Sequence, residues 1–224
     1  MTLPRRLVAE GLGTAFLLAT VVGSGIMGES LAAGNVAIAL LANTLATGAA
    51  LIALIITFGP ISGAHFNPAV SLAVAFNGGM AWRHVPAYCA MQAIGAFAGV
   101  AAAHLMFNEP LFTASQHERA GFSQLWSEFV ATFGLLSVIW GCQKQRLEII
   151  AVVVGAYITA AYWFTASTSF ANPAVTLARA ATDSFSGIRP ADVPGFVIAQ
   201  LLGAASATLL FRWFGKPAAD AHAR

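Results

Sequence analysis

The chain of 224 residues is 58% hydrophobic and 9% charged, and its formal net charge is +2. A soluble domain carries about a quarter charged residues, so this composition excludes a fully water-covered surface and indicates a membrane protein. The small net charge gives no basis for a nucleic-acid partner. The histidines and cysteines lack the spacing of metal ligands, and no cofactor motif is present, so we expect neither a metal site nor a cofactor.

Six apolar segments are long enough to cross a bilayer. A helix needs about 20 apolar residues to span a hydrocarbon core of about 30 Å. The six segments, in chain order, are residues 7–27, 36–58, 85–107, 125–142, 149–164 and 193–214. The sequence therefore predicts an all-α membrane protein with six transmembrane helices.

Two further apolar segments, residues 67–76 (NPAVSLAVAF) and 172–181 (NPAVTLARAA), are too short to span. At a rise of 1.5 Å per residue, ten residues reach about 15 Å, or half of the hydrocarbon core. Such a segment can enter the membrane and return where it is covered by protein or lines a water-filled cavity. We therefore predict two re-entrant half-helices.

The distribution of cationic residues predicts the orientation of the chain. Six spans place both termini on the same side of the membrane, and most of the arginines and lysines fall on that side. They are Arg5, Arg6, Arg83, Lys144, Arg146, Arg212, Lys216 and Arg224, against Arg119, Arg179 and Arg189 on the other side. By the positive-inside rule, both termini are cytoplasmic.

The two halves of the chain resemble each other. AEGLGTAFLL, which contains Glu10, matches SEFVATFGLL, which contains Glu128, and NPAVSLA and NPAVTLA share six of seven residues. We divide the single domain, residues 1–224, into a first repeat (6–107), an outer connecting loop (108–124), a second repeat (125–214) and a polar tail (215–224). Each repeat holds three spans, so the second enters the membrane with opposite polarity, and functional sites are expected near mid-membrane where the halves meet.

Each short segment begins with a strong helix-start signal. Asn67 and Asn172 are good N-caps, and Pro68 and Pro173 suit the first helical turn. If the two half-helices meet at mid-membrane, each contributes about half a positive charge there. The meeting point then repels cations and hydronium and accepts a neutral hydroxyl oxygen.

Paired NPA motifs in matching half-spans closely resemble those of the aquaporin, or major intrinsic protein, superfamily. The segment 62–70 (SGAHFNPAV) is similar to the first pore loop of that family, and the resemblance extends over residues 10–214. It implies a bundle of six helices and two half-helices, one pore in each subunit, and usually a homotetramer. The sequence shows no cluster of a nucleophile, a base and an orienting residue, so we do not expect an enzyme. The pore residues implied are Asn67, Pro68, Ala69, Asn172, Pro173 and Ala174.

The sequence departs from the family at the outer filter. In most relatives an arginine follows the second motif, but here that position is Val175. Counting from the two asparagines places Thr47, Ala160 and Ser169 at the other three filter positions. In the water-selective members of the family that this chain resembles, the four filter positions hold a large aromatic residue, a histidine, a small residue and an arginine. All four residues of this chain are small or medium and uncharged, which predicts a wide, uncharged outer filter.

A wide filter indicates passage of more than water. We expect a passive channel for small neutral solutes: glycerol-like polyols, urea, neutral trivalent arsenicals such as arsenous acid, and water itself. Chains with valine after the second motif resemble a bacterial aquaglyceroporin branch associated with arsenical transport. This resemblance implies a location in the plasma membrane, the inner membrane of a bacterium. The alternatives are a water-selective aquaporin and a proton-coupled secondary transporter, which also uses inverted repeats.

For several polar residues inside the membrane, the sequence allows two interpretations of their role. Arg179 either reaches the outer interface or pairs with Asp183, or it lines the vestibule and replaces part of the missing positive charge. His65 either lines the pore or fixes its loop. The remaining four either brace the re-entrant loops or, for the acids, relay protons: Glu10, Glu128, Gln92 and Gln200.

Overall fold

The structure, a computed structural model, describes residues 1–215, and the predicted polar tail lies outside the described residues except for Gly215. Its helices are α1 (Leu3–Leu31), α2 (Val36–Ser62), α3 (Pro68–Phe76), α4 (Val85–Phe107), α5 (Phe122–Cys142), α6 (Leu147–Phe164), α7 (Pro173–Arg179) and α8 (Val193–Phe214). Short 3₁₀ turns, Trp82–His84 and Pro190–Asp192, precede α4 and α8. Lys216 and Arg224, which were used for the orientation, also lie outside the described residues.

The prediction of six membrane spans is confirmed, since six helices are long and apolar enough to cross a bilayer. Large apolar side chains such as Leu12, Phe16 and Ile94 are exposed on the outside of the bundle, as expected for a surface that faces lipid. The first helix is longer than the predicted 7–27, since it extends from Leu3 to Leu31. Both additions are polar ends of an apolar helix.

The two short helices are also present. α3 has nine residues and α7 has seven, so neither can span the membrane. Each begins directly after an asparagine whose side-chain oxygen accepts a backbone N–H, and each has a proline in its first turn. These are the predicted half-helices, and their start points were correctly indicated by the NPA motifs.

The helices pack as two related halves. α1 packs on α2 and α4, as α5 packs on α6 and α8, and α2 meets α6 across the molecule. α3 and α7 both lie against α4 and α8. α1 begins and α8 ends on one side, which we call the terminal face; the other side is the opposite face. α3 runs to the terminal face and α7 to the opposite face.

Glycines allow the closest helix contacts. A Cβ atom on Gly95 would collide with the backbone of Gly11 in α1, and one on Gly203 would collide with the backbone of Phe129 in α5. The two contacts occupy equivalent places in the two halves. Small residues let helix backbones approach closely in lipid, where apolar burial gives little driving force for association.

Candidate pore

Two re-entrant loops carry the chain into α3 and α7 through matching, unusual backbone conformations. Ala64 and Phe66 in the first loop have φ of 50° and 49°, and Ser169 and Ala171 in the second have 51° and 48°. A left-handed conformation is unfavourable for residues with a side chain and persists only when the surroundings fix it. The loops therefore need strong partners.

Glu10 is the partner of the first loop. Its carboxylate is fully buried and accepts hydrogen bonds from the backbone N–H of His65 at 3.0 Å and of Phe66 at 2.7 Å. It also accepts from Ser62 Oγ at 2.6 Å and from Gln92 Nε2 at 2.8 Å. One side chain of α1 thus binds the loop, the end of α2 and α4 together.

Glu128 does the same for the second loop. It accepts hydrogen bonds from the N–H groups of Phe170 and Ala171, both at 2.8 Å, and from Gln200 Nε2 at 2.6 Å. This carboxylate is also fully buried. The predicted pairs Glu10 with Gln92 and Glu128 with Gln200 therefore occupy equivalent bracing positions, each with backbone donors from its loop.

Sequence reasoning missed one member of each brace. Gln92 Nε2 donates to Ser71 Oγ at 2.9 Å, and Gln200 Nε2 donates to Thr176 Oγ1 at 2.7 Å. Ser71 and Thr176 are the fifth residues of NPAVSLA and NPAVTLA, the one place where these segments differ. The feature of the sequence that could have indicated them is the hydroxyl group that both segments keep at this position.

The two NPA motifs meet inside the bundle. Asn67 Nδ2 donates to the carbonyl of Ala171 at 2.8 Å, and Asn172 Nδ2 donates to the carbonyl of Phe66 at 2.7 Å. Each asparagine oxygen accepts the N–H of an alanine, Ala69 or Ala174, in its own half-helix. One amide N–H of each asparagine thus links the halves, and both asparagines border the same cavity.

That cavity, of about 270 Å³, extends along the bundle. Gln143 and Leu147 border it near the terminal face, the two asparagines near its middle, and Tyr162 and Arg179 near the opposite face. Most of its wall is aliphatic, with residues of α2, α5 and α6. The helices therefore enclose an elongated, largely apolar path with hydrogen-bonding groups concentrated at its middle and its opposite-face end.

Three of the four predicted filter positions border this cavity, and one does not. Thr47, Ser169 and Val175 are buried and lie in its wall. Ala160 is exposed on the outside of α6, so its assignment to the filter is wrong. Two residues correspond to a rotation of about 200° on a helix, and Ile158 and Tyr162 face the cavity instead.

The four predicted filter positions did not include an aromatic and a cationic side chain that border this end of the cavity, although lining of the vestibule was one interpretation of Arg179. Tyr162 borders the cavity, and its hydroxyl donates to Thr47 Oγ1 at 3.4 Å. Arg179 borders it too and is 2% exposed, with Nε donating to the carbonyl of Ser186. Arg179 therefore neither extends to the outer interface nor pairs with Asp183, which instead accepts the N–H of Gln116.

A second arginine supports this end of the cavity. The guanidinium of Arg179 lies 3.3 Å from the centroid of the Phe170 ring, and that of Arg119 lies 5.0 Å from the same centroid. Arg119 also donates to the carbonyls of Gly187 at 2.7 Å and Ser167 at 3.2 Å. Burial lowers the pKa of Arg119, and the carboxylate of Glu128 opposes that shift. No motif in the sequence indicated Arg119 or Phe170.

His65 both lines the cavity and holds its own loop in place, so the two interpretations of this residue are compatible. It borders the cavity, and its Nδ1 lies 3.0 Å from Ser71 Oγ in the first brace. Its ring also lies at 5.4 Å from that of Tyr88, centroid to centroid. The histidine is therefore both part of the wall and fixed to its loop.

An inverted pair of three-helix halves, with two half-helices meeting at a continuous internal cavity, is the architecture of a membrane channel. Comparison with known proteins agrees: the sequence profile described as Major intrinsic protein matches residues 1–147 and 141–223. The chain belongs to the major intrinsic protein family, and it is a channel rather than an enzyme.

Individual relatives give the same answer. Over 216 residues the chain is 57% identical to Aquaglyceroporin AqpS of Rhizobium meliloti (strain 1021), covering 96% of this chain and 92% of that protein. It is 33% identical over 159 residues to Aquaporin NIP1-1 of Oryza sativa subsp. japonica, covering 69% of this chain and 55% of the longer plant protein. The X-ray structure of the aquaglyceroporin from Plasmodium falciparum has the same fold, with a TM-score of 0.71, 20% identity and 95% coverage of both chains.

Proposed function

We propose that the protein is a passive channel for small uncharged solutes: glycerol-like polyols, urea, neutral trivalent arsenicals including arsenous acid, and water. The observation that carries the proposal is the meeting of Asn67 and Asn172 at a cavity that extends towards both faces. The similarity to a protein described as an aquaglyceroporin supports the choice of solutes larger than water.

The wall at the opposite-face end suits a solute that has hydroxyls on one side and carbon on the other. Ser169 Oγ is buried without a hydrogen-bond partner among the described residues, and Arg179 and Thr47 add polar groups. Val175 and Ile158 supply an apolar wall. A polyol can exchange its hydrogen bonds with water for hydrogen bonds to the polar residues, while its carbon atoms contact the apolar residues.

The mechanism needs no coupling ion and no large motion. Each half-helix starts beside the cavity, so the positive end of its dipole lies at the middle of the path. Arg179 adds a cationic group towards the opposite face. Cations lose hydration there without compensation, whereas a neutral hydroxyl oxygen accepts hydrogen bonds from the asparagine amides.

Stopped-flow light scattering on proteoliposomes tests this function. Under matched osmotic gradients, we expect glycerol and urea to enter faster than in protein-free liposomes, in proportion to the gradient and independently of a proton gradient. Uptake of arsenous acid is measured in the same vesicles. Acceleration of water alone would favour a water-selective aquaporin, and a saturable, proton-dependent flux would favour a secondary transporter.

Val175 is the filter position that differs most from the family pattern. We expect Val175→Arg to lower glycerol and urea flux by about tenfold or more and water flux by less, because the larger cationic side chain narrows the cavity that Val175 borders. Val175→Leu is the matched uncharged control and should lower flux only slightly. Equal losses for water and glycerol in Val175→Arg would show that this residue does not set the solute size limit.

The assembly and orientation are proposals of the same kind. We infer a homotetramer, with both termini in the cytoplasm and the channel in the plasma membrane. The predominance of cationic residues on the terminal face supports this orientation. Native mass spectrometry gives the subunit number directly, and cleavage at an engineered protease site in the outer connecting loop of intact cells tests the orientation.

A further inference from the structure

A second cavity, of about 380 Å³, opens on the outside of the bundle between α3 and α8. Four of its ten lining residues are alanines, Ala69 and Ala73 on α3 and Ala204 and Ala205 on α8, and leucines and two aromatic residues form most of the rest. These short side chains leave a groove that is almost entirely apolar. The groove is separate from the central cavity and plays no part in the mechanism above.

The dimensions of the groove match one leaflet. It extends along α3 from Ala69, beside the NPA motif at mid-membrane, to Phe76 and Trp82 at the terminal face. Eight helical residues correspond to about 12 Å, and Trp82 extends the groove further towards the terminal face, so its depth is close to half of a hydrocarbon core of about 30 Å. One acyl chain of a lipid in this leaflet therefore has the length to fill it.

The corresponding place in the other half of the molecule is occupied differently. Gln92 and Gln200 align α4 with α8, so the residue that corresponds to Ala205 is Phe97. The ring of Phe97 packs against the main core and lies 6.1 Å from the ring of Phe112, centroid to centroid. The repeat thus has an aromatic ring in one half where α8 has the alanine of the groove.

The terminal-face end of the groove is cationic. The guanidinium of Arg212 lies 4.9 Å from the centroid of the Phe76 ring, and Arg83 is exposed next to Trp82. Within residues 1–215, neither arginine forms an ion pair with a carboxylate. An apolar slot of leaflet depth with two arginines at its polar end matches the two parts of an anionic phospholipid.

We propose that the groove between α3 and α8 binds an anionic phospholipid, with one acyl chain against Ala73 and Ala205 and the phosphate beside Arg212 and Arg83. The site goes beyond the proposed transport of solutes. Because Ala69 belongs to both the NPA motif and the groove, the bound chain supports α3 from its lipid-facing side. A second copy of the protein on this face is the alternative occupant.

Native mass spectrometry of the purified protein, titrated with phosphatidylglycerol or with phosphatidylcholine of the same acyl chains, tests the site. We expect phosphatidylglycerol to bind more tightly to the wild type. Arg212→Gln should reduce that preference by about fivefold, the effect of one cationic side chain near a lipid surface. Arg5→Gln, which removes an exposed arginine at the start of α1, should leave it unchanged.

A second variant tests the groove itself. Ala205→Phe copies the aromatic residue of the other half and should remove one bound lipid of either type, whereas Ala98→Phe, on an exposed face of α4, should remove none. Solute flux identifies folded preparations. Unchanged lipid binding in Ala205→Phe, or equal binding of the two lipids to the wild type, would overturn the proposal. Loss of subunits in Ala205→Phe would assign the groove to a protein interface and overturn it as well.

Discussion

The side chains at the opposite-face end of the central cavity show what a single residue decides in this channel. Val175 and Ser169 lie within a few residues of Asn172, so counting along the chain placed both beside the cavity correctly. The longer counts reach another helix across a loop, and of these the one to Thr47 reached the cavity wall whereas the one to Ala160 did not. Each residue of a helix turns its side chain by about 100°, so an error of two positions moves it from the cavity to the lipid.

Ile158 and Ala160 give a direct test of that rotation. We expect Ile158→Trp to lower glycerol flux by about tenfold or more, because Ile158 borders the cavity and the indole would fill it. Ala160→Trp should leave the flux nearly unchanged, because the added ring faces outward. Both fluxes are measured by stopped-flow light scattering at equal protein density. The opposite pattern would place Ala160 in the filter as the sequence predicted.

Arg179 is the residue for which the structure changes the interpretation most. Its guanidinium is buried beside the cavity, so it provides positive charge one helical turn beyond Val175. We expect Arg179→Ala to raise the leak of small cations several-fold and to keep or increase glycerol flux. Ion leak is measured with a pH- or sodium-sensitive dye inside proteoliposomes.

The matched control for that variant is Arg189→Ala. Arg189 lies on the same face but is partly exposed and paired with Asp192 at 3.0 Å and Glu118 at 3.4 Å. Its removal should not affect ion exclusion, because exposed ion pairs contribute little to the field inside the cavity. If Arg179→Ala and Arg189→Ala behave alike, Arg179 has no role in the filter.

At the scale of elements, the half-helices depend on side chains from the long helices. The sequence predicted α3 and α7 from their NPA caps. The repeat also singled out the two glutamates and two glutamines, for which bracing of the loops was one of the interpretations. It did not indicate Ser71 or Thr176, since a hydroxyl in an apolar helix has many possible partners. It also gave no sign of Arg119, whose partners Ser167 and Gly187 become neighbours only when the loops fold over the opposite face.

Glu128→Gln tests the brace of the second loop. The amide can accept at one atom only, so a backbone N–H that now donates to the carboxylate loses its partner in a buried site. We expect a loss of about 3 kcal/mol in stability, together with reduced flux, because the strained loop is no longer held. The midpoint of thermal unfolding in detergent, followed by tryptophan fluorescence, measures the change.

Glu29→Gln is the control for this prediction, because Glu29 is exposed near the end of α1 and the substitution is chemically identical. It should shift the unfolding midpoint very little. By the equivalence of the two halves, Glu10→Gln should resemble Glu128→Gln. Midpoints for all three variants within experimental error of one another would mean that the buried carboxylates do not stabilise the loops.

The whole molecule works through the opposition of its two halves. Each half contributes one half-helix that cannot cross the membrane alone, and the pair forms a path only because the repeats are inverted. Composition, span lengths and the repeated motifs were enough to predict this architecture. The detailed wall of the cavity was not predictable, because it depends on the rotation of six long helices, and that rotation is set by packing contacts such as those of Gly95 and Gly203.

The central claim is that the meeting of Asn67 and Asn172 passes neutral hydroxyl compounds and rejects cations. The most direct test records glycerol entry and proton entry in the same wild-type proteoliposomes, the first by light scattering and the second by an internal pH dye under an imposed potential. We expect fast glycerol entry, with proton entry at the level of protein-free liposomes. Proton entry that rises together with glycerol entry as more protein is reconstituted would contradict it.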